Sequence, residues 1–179
     1  RDETVRLGRL ADAILELTRL ERGSLPFEMR RLDSAVPVRA AVDAHEALFE
    51  AAGLKLTVRV EDGLLIEGDA DRLQQAVSNL LSNAARYTPE GGDVEIAAYR
   101  RGSSIVVDVL DSGIGVAEDD IPHLFSRFWR ADDARARSTG GLGIGLAVTK
   151  EIVERHKGRI VVARRPEGGS RFSIELPAA

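Results

Sequence analysis

The chain has 179 residues, 44% apolar and 30% charged, with a net charge of −4; this is a globular balance, with room for one core-forming domain and a short appendage. Cysteine is absent, which excludes disulfides, thiolate metal sites and a cysteine nucleophile, and three histidines are too few for an all-histidine metal cage. The acidic balance argues against a protein that coats nucleic acid, no apolar run approaches the roughly 20 residues needed to span a bilayer, and no signal peptide is visible.

Residues 3–22 place Leu7, Leu10, Ile14 and Leu17 at spacings of three and four, a narrow heptad-like stripe along a helix. Gly23, Ser24 and Pro26 break it. The break separates this helix from all that follows, so we expect half of a helical hairpin or dimer stalk. The chain opens at Arg1 rather than Met, and the partner helix is expected upstream. Residues 37–52 predict a second helix. In 54–60, LKLTVRV, the residues Leu54, Leu56, Val58 and Val60 alternate with Lys55, Thr57 and Arg59, the mark of a half-buried strand. Leu64 to Ile66 is a candidate to pair with it. Asp69 is placed to cap a helix running to about Tyr87, with Asp71 in its positive first turn.

Val94, Ile96 and Ala98, then Ile105, Val107 and Val109, flank Arg101-Gly102-Ser103 and predict a hairpin. Residues 126–141 are polar, rich in Arg and Ala and without period, and Ser126 to Thr139, poor in apolar groups, are expected to be mobile. A helix is expected from about Gly143 to His156. Strands follow near 159–164 and 170–176, with Phe172, Ile174 and Leu176 facing one way. The sum is an α/β two-layer sandwich: a mixed, mostly antiparallel sheet with helices on one face.

The helix after Asp69 carries two faces. Leu73, Ala76, Val77, Leu80, Leu81 and Ala84 form a wide apolar stripe. Asn79, Asn83 and Arg86 share a second face beside it, at about 100° per residue. Asparagine is a mediocre helix former. The face is either ordinary polar surface, or a flank offering amide oxygens to a hard cation and a guanidinium to phosphates. Neutral oxygens suit Mg²⁺ that arrives on a nucleotide, whose phosphates bring the negative charge.

In VLDSGIGV (109–116), Asp111 ends an apolar strand and Gly113 and Gly115 follow. This is a turn, or a carboxylate that accepts from an exocyclic amine such as adenine's while the glycines let a ring approach. In STGGLGIGLAVTK (138–150), four of the six residues from Gly140 to Gly145 are glycine. A P-loop needs Lys and Ser or Thr after Gly145, where Leu146 and Ala147 stand. A dinucleotide fingerprint needs a preceding strand and, counted from Gly141, a glycine where Leu146 stands. What remains is a helix opened by glycines, whose first N–H groups suit an anion, or a hinge without a ligand.

Taken in order, NLLSNAARYTP, DSGIGV, FSRFWR and GGLGIGLAVTK resemble the N, G1, F and G2 boxes of sensor histidine kinases. GDADRLQQAVSNLL before them and GGSRFSIELP after them resemble the flanking sequence of the same family. The resemblance covers essentially the whole chain. It implies the GHKL (Bergerat) ATP-binding fold, with a lid at about 126–141, ATP and Mg²⁺ as ligands, and transfer of the γ-phosphoryl group to a histidine for relay to an aspartate. By position it makes Asn83 the principal Mg²⁺ ligand and Asn79 its helper, with Asn83 and Arg86 at the reacting phosphates. Tyr87 would lie against adenine and Asp111 would bind its amine, with Gly113 and Gly115 shaping that pocket. Gly141, Gly143 and Gly145 would hinge the lid and offer amides to phosphate, and Leu146 and Ser170 would join the nucleotide contacts. Phe125 and Phe128 would anchor the start of the lid. Arg127, Arg130, Arg135 and Arg137 are candidates to reach phosphate or the helical domain, or are solvated.

The resemblance also divides the chain: residues 1–24 end a dimerisation and phosphotransfer hairpin, 25–36 link, and 37–179 bind ATP. Implied partners are a response regulator, the chain's own histidine-bearing dimerisation domain and a second copy in a homodimer, with no nucleic acid. The implied setting is the cytoplasmic part of a membrane-anchored sensor. His45, in DAHEALFE, lacks the Leu-Arg-Thr-Pro of the family's acceptor box and is read as a plain helix residue. His123 precedes the F box, and His156 ends a helix, where a cation is favoured. None is expected to accept phosphate, so this chain alone is not expected to autophosphorylate. A gyrase-like or mismatch-repair-like ATPase would need a glutamate base where Ser78, Asn79 and Ser82 stand. An anti-sigma-type serine kinase would lack the N-terminal helix. A non-catalytic nucleotide sensor would not need all the boxes intact.

Overall fold

A computed structural model of the chain describes residues 26–129 and 143–179 and, before them, Gly8, Ala11, Ile14, Leu15, Thr18 and Arg19. Those six are helical. Ile14 of the expected stripe is 38% exposed and Leu15 54%, while Leu7, Leu10 and Leu17 lie outside the described residues.

The main body runs β1 (Arg30–Asp33), α1 (Ala35–Asp43), α2 (Glu46–Ala51), β2 (Lys55–Val60), β3 (Leu65–Gly68), α3 (Ala70–Tyr87), β4 (Asp93–Arg101) and β5 (Ser104–Asp111). A 3-10 turn (Glu118–His123), α4 (Gly145–Arg155), β6 (Arg159–Arg164) and β7 (Ser170–Pro177) complete it. Five strands form one sheet in the order β2-β4-β5-β7-β6. Only β2–β4 is parallel; β4–β5, β5–β7 and β6–β7 are antiparallel. The inward residues of β4, β5 and β7 share one buried cluster with the apolar stripes of α3 and α4. The helices therefore lie on one face, as the alternation predicts.

The stripe of α3 is buried as expected: Leu73, Ala76, Val77, Leu80 and Leu81 are at most 2% exposed. Asp69 is its N-cap, accepting from Arg72 N–H at 3.0 Å. Its far end falls at Tyr87 because Thr88 precedes Pro89 and is pushed to an extended conformation.

Three expectations are corrected. Residues 64–66 do not pair with 54–60; β3 pairs antiparallel with β1, inside the segment expected to link. That strand carries a single apolar residue, Leu32, so it has no readable period; Asp33 secures it by accepting from Ala35, Gly63 and Leu64 N–H groups. The helix expected over 37–52 is two helices broken at Ala44–His45. His45 bridges the break, with Nδ1 on Ala41 O and Nε2 on Ser82 Oγ of α3. Last, Val58 is 41% exposed, because β2 is an edge strand that the helices cover only in part.

The opposite face of the sheet is polar. Asp108, 3% exposed, accepts from Tyr99, Arg171 and Ser173. Glu175 lies between Arg101 and Arg159.

Candidate functional site

The site is assembled from three chain segments: the second half of α3, the exit of β5 and the start of α4. Hydrogen bonds hold them together. Ile114 N–H, beyond β5, donates to Tyr87 O at the end of α3 at 3.2 Å. Asn79 Nδ2, one turn before Asn83, donates to Gly145 O at the start of α4 at 3.1 Å.

At one end stands Asp111, 4% exposed. Its Oδ1 accepts from Gly113 N–H at 2.9 Å and Ser170 N–H at 3.3 Å, and its Oδ2 accepts from Ser170 Oγ at 2.7 Å. Arg165 Nη1 donates to the Asp111 carbonyl at 2.8 Å. The backbone is packed so closely that side chains are excluded: a Cβ on Gly113 would lie 2.4 Å from Tyr87 O, and one on Gly169 (φ +84°) would lie 1.9 Å from Asp111 O. Gly115 faces Gly169. The result is a buried carboxylate, oriented from both oxygens, with spare lone pairs beside bare backbone.

At the other end the side chains are less engaged. Asn79 is tied to α4, but Asn83 and Arg86 make no side-chain hydrogen bond or ion pair among the described residues. Tyr87 is 41% exposed. Gly145 opens α4, and its Cβ would meet nothing closer than the Asn79 amide at 3.7 Å. Ile144 and the helix that follows place the first backbone N–H groups of α4 beside Asn79. A helix N-terminus next to the Asn83 amide, the Asn79 Oδ1 and a guanidinium is a place where anions and a hard cation can be held together.

The family profile of the histidine kinase-, DNA gyrase B- and HSP90-like ATPases matches residues 68–179. The chain belongs to that family. The motif resemblance to sensor histidine kinases is borne out by its relatives. The histidine-protein kinase BaeS of Escherichia coli is 38% identical over 171 residues, covering 96% of this chain and 37% of BaeS. The sensor-like histidine kinase SenX3 of Mycolicibacterium smegmatis is 37% identical over 175 residues, covering 98% of this chain and 46% of SenX3. The chain thus spans less than half the length of these curated relatives. Among solved structures, full-length ShkA in complex with AMPPNP superposes with a TM-score of 0.86 at 25% identity, over all of this chain and 37% of ShkA. The mycobacterial sensor histidine kinase MprB gives 0.72 at 25% identity, over 84% of this chain and 97% of the MprB chain.

Within this ATPase-family domain, Asn79, Asn83, Arg86 and Tyr87 follow one another along the second half of α3. Asp111, Gly113, Gly115 and Ser170 gather at the β5 exit. Gly143, Gly145 and Leu146 open α4, with Phe128 N–H donating to Gly143 O at 2.9 Å. Gly141, Arg130, Arg135 and Arg137 lie outside the described residues. Phe125 packs against the core as expected, but Phe128 does not: its side chain is 54% exposed and its φ is +62°, so it holds Gly143 through its backbone. His123 stacks on Trp129, with centroids 6.4 Å apart.

His156 stands at the end of α4 but is turned into the core. It is 3% exposed, with Nδ1 bonded to Ile152 O and Nε2 accepting from Asp69 N–H. Those partners select one neutral tautomer. It also meets Phe27 edge-on, and Arg155 lies over the Phe27 ring at 4.1 Å.

Sequence reading missed Gly169, Arg165 and Thr149. Gly169 was legible as part of a Gly-Gly pair before Ser170. Thr149 was legible as a polar residue inside an apolar helix stripe. Arg165 left no signal, because nothing local says that β6 and β7 turn back onto Asp111.

Proposed function

We propose that this domain binds Mg-ATP between Asp111 and the start of α4, and passes the γ-phosphoryl group to a histidine on a dimerisation helix for relay to a response-regulator aspartate. The observation that carries this reading is the pairing of a buried, doubly oriented carboxylate, Asp111, with the Asn83 amide and the Arg86 guanidinium, which have no side-chain partner among the described residues. Asp111 accepts from the exocyclic amine of adenine, Ser170 and Gly113 hold that carboxylate in place, and Tyr87 lies along the base. Arg86 and the first N–H groups of α4 take the phosphate oxygens.

The donor set fits a nucleotide-borne cation. Asn83 and Asn79 offer neutral oxygens, and no group of three or more His, Cys, Asp or Glu that could hold a metal occurs among the described residues. The cation's charge must then be met by phosphates. When bound, Mg²⁺ neutralises the charge that builds up during phosphoryl transfer. Water activation needs a base, and the matching positions of α3, Ser78, Asn79 and Ser82, supply none. The arrangement favours transfer to a histidine brought by another domain over hydrolysis.

We place residues 1–24 in the dimerisation domain, and the whole protein in a homodimer that works from a membrane-anchored sensor. No described helix is long and apolar enough to cross a membrane. The test is Asn83→Ala in calorimetric titration with Mg-ATP. The reading expects affinity to fall about 100-fold, and an unchanged affinity refutes it. Incubation of this chain alone with ATP is expected to leave no acid-labile phosphate on it.

A further inference from the structure

We propose that Thr149 is a positioning residue for the cation and phosphate end of the site, acting through the side-chain amide of Asn79; this rests on the nucleotide-site reading above. Thr149 is fully buried on α4, one turn after Gly145. Its Oγ1 donates to Gly145 O at 2.8 Å. Helical threonines often bond the carbonyl four residues back. The second partner of this hydroxyl is what sets it apart: Asn79 Nδ2 reaches it across the helix pair at 3.2 Å.

The chemistry then leaves one arrangement. A threonine hydroxyl has one hydrogen, and this one is used on Gly145 O, so towards Asn79 it can only accept. Gly145 O is itself only an acceptor, and it takes Asn79 Nδ2 at 3.1 Å. Two acceptors converge on one end of the amide, so that end must be the nitrogen. Exchange of nitrogen and oxygen, the usual ambiguity of an asparagine, would set two oxygens against Oδ1. Asn79 therefore turns its Oδ1 away from the two acceptors, and that oxygen has no hydrogen-bond partner among the described residues. The oxygen is left as a neutral acceptor one turn from Asn83. Without the hydroxyl, Gly145 O alone would hold the amide, and its rotation would be restrained by one bond rather than two.

This role predicts a split that packing alone would not produce. The experiment uses the 179-residue chain and measures ATP affinity with and without Mg²⁺ for the parent, Thr149→Val and Thr149→Ser. Thr149→Val keeps the branched shape and removes the hydroxyl. It should lower the Mg²⁺-dependent gain in ATP affinity about three- to ten-fold, the effect of one net hydrogen bond, and change Mg²⁺-free affinity less than about two-fold. Thr149→Ser should retain the gain. In the parent, the Asn79 side-chain NH₂ should exchange slowly in NMR spectra, and in Thr149→Val it should exchange faster. If Thr149→Val is too unstable to titrate, Thr149→Ala carries the same comparison. An unchanged Mg²⁺ gain in the hydroxyl-free variant, or an equal loss in Thr149→Ser, overturns the proposal. Asn83→Ala run alongside separates the two readings: if it abolishes the Mg²⁺ gain while Thr149→Val does not, the site stands and the positioning role falls.

Discussion

The two ends of the candidate site are built in opposite ways. Around Asp111 nearly every polar atom already has a protein partner, and the backbone is so tightly stacked that Gly113 and Gly169 admit no side chain. Around Asn83 the side chains are held at their roots by a well-buried helix, but those of Asn83 and Arg86 have no partner among the described residues. The first end is pre-formed, so a flat, apolar ring with one amine costs it little reorganisation. The second offers the Asn83 amide, the Asn79 Oδ1 and a guanidinium, none of which has a hydrogen-bond partner among the described residues. In the proposed reading the first end recognises the base and the second handles charge, so mutations at the two ends should fail differently.

The sharpest way to break this comparison is Gly169→Ala. A Cβ there meets Asp111 O at 1.9 Å, at a φ of +84°. Backbone strain and overpacking together should destabilise the domain by about 4 kcal/mol, seen in chemical denaturation. A loss below about 1 kcal/mol would show that the Asp111 end is not rigid. Asn83→Ala should do the reverse. Its loss of Mg-ATP affinity corresponds to about 2.7 kcal/mol, yet its unfolding free energy should stay within about 0.5 kcal/mol of the parent.

Asp111→Asn probes the pre-formed end more gently. An amide cannot accept at both positions, so Ser170 loses one partner and the base loses its acceptor. ATP affinity should fall about ten-fold, with about 1 kcal/mol of stability lost, and discrimination against GTP should narrow. If Asp111→Asn binds ATP like the parent, the base is read elsewhere.

The smallest expected effect lies at the far end of α3. Burial pushes the Asp69 carboxyl up, but the backbone N–H groups of Arg72, Glu28 and Asp71, with the Arg72 charge, outweigh it and hold the group below its ordinary value. A carboxylate lowered in the folded state adds stability above the unfolded value, near pH 3.9, and loses it as pH falls further. Asp69→Ala should therefore cost about 1 kcal/mol at neutral pH, the usual worth of an N-cap, and flatten the fall in stability below about pH 4. Mg-ATP affinity should be unmoved, since this end of the helix is remote from Asn83. A parallel drop in affinity would mean that α3 transmits changes along its length.

The legibility of the molecule in its sequence differed in the same two-sided way. Helix α3 was readable in full, because its cap, its apolar stripe and its Thr-Pro end are all local signals. Strands β4, β5 and β7 were readable from alternation, because one face of each carries the apolar residues that enter the core. Strand β1 was not, since four residues with one apolar side chain have no period, and its pairing with β3 is a tertiary event. The break at His45 was hidden for a similar reason: the ring is drawn to Ser82, which only folding brings near.

The site was readable in its residue types but not in its bonding. The order and spacing of the asparagines, the Asp-Ser-Gly and the glycine-rich helix start depend on short-range chemistry, so the sequence alone determined the candidate list and the family. Which of those groups are spent on the protein and which remain for a ligand depends on contacts between residues far apart in the chain. Ser170 closes on Asp111 and Thr149 on Asn79 only once the sheet and the helix pair have packed. A linear sequence specifies donors and acceptors; it takes the tertiary structure to decide which are already satisfied.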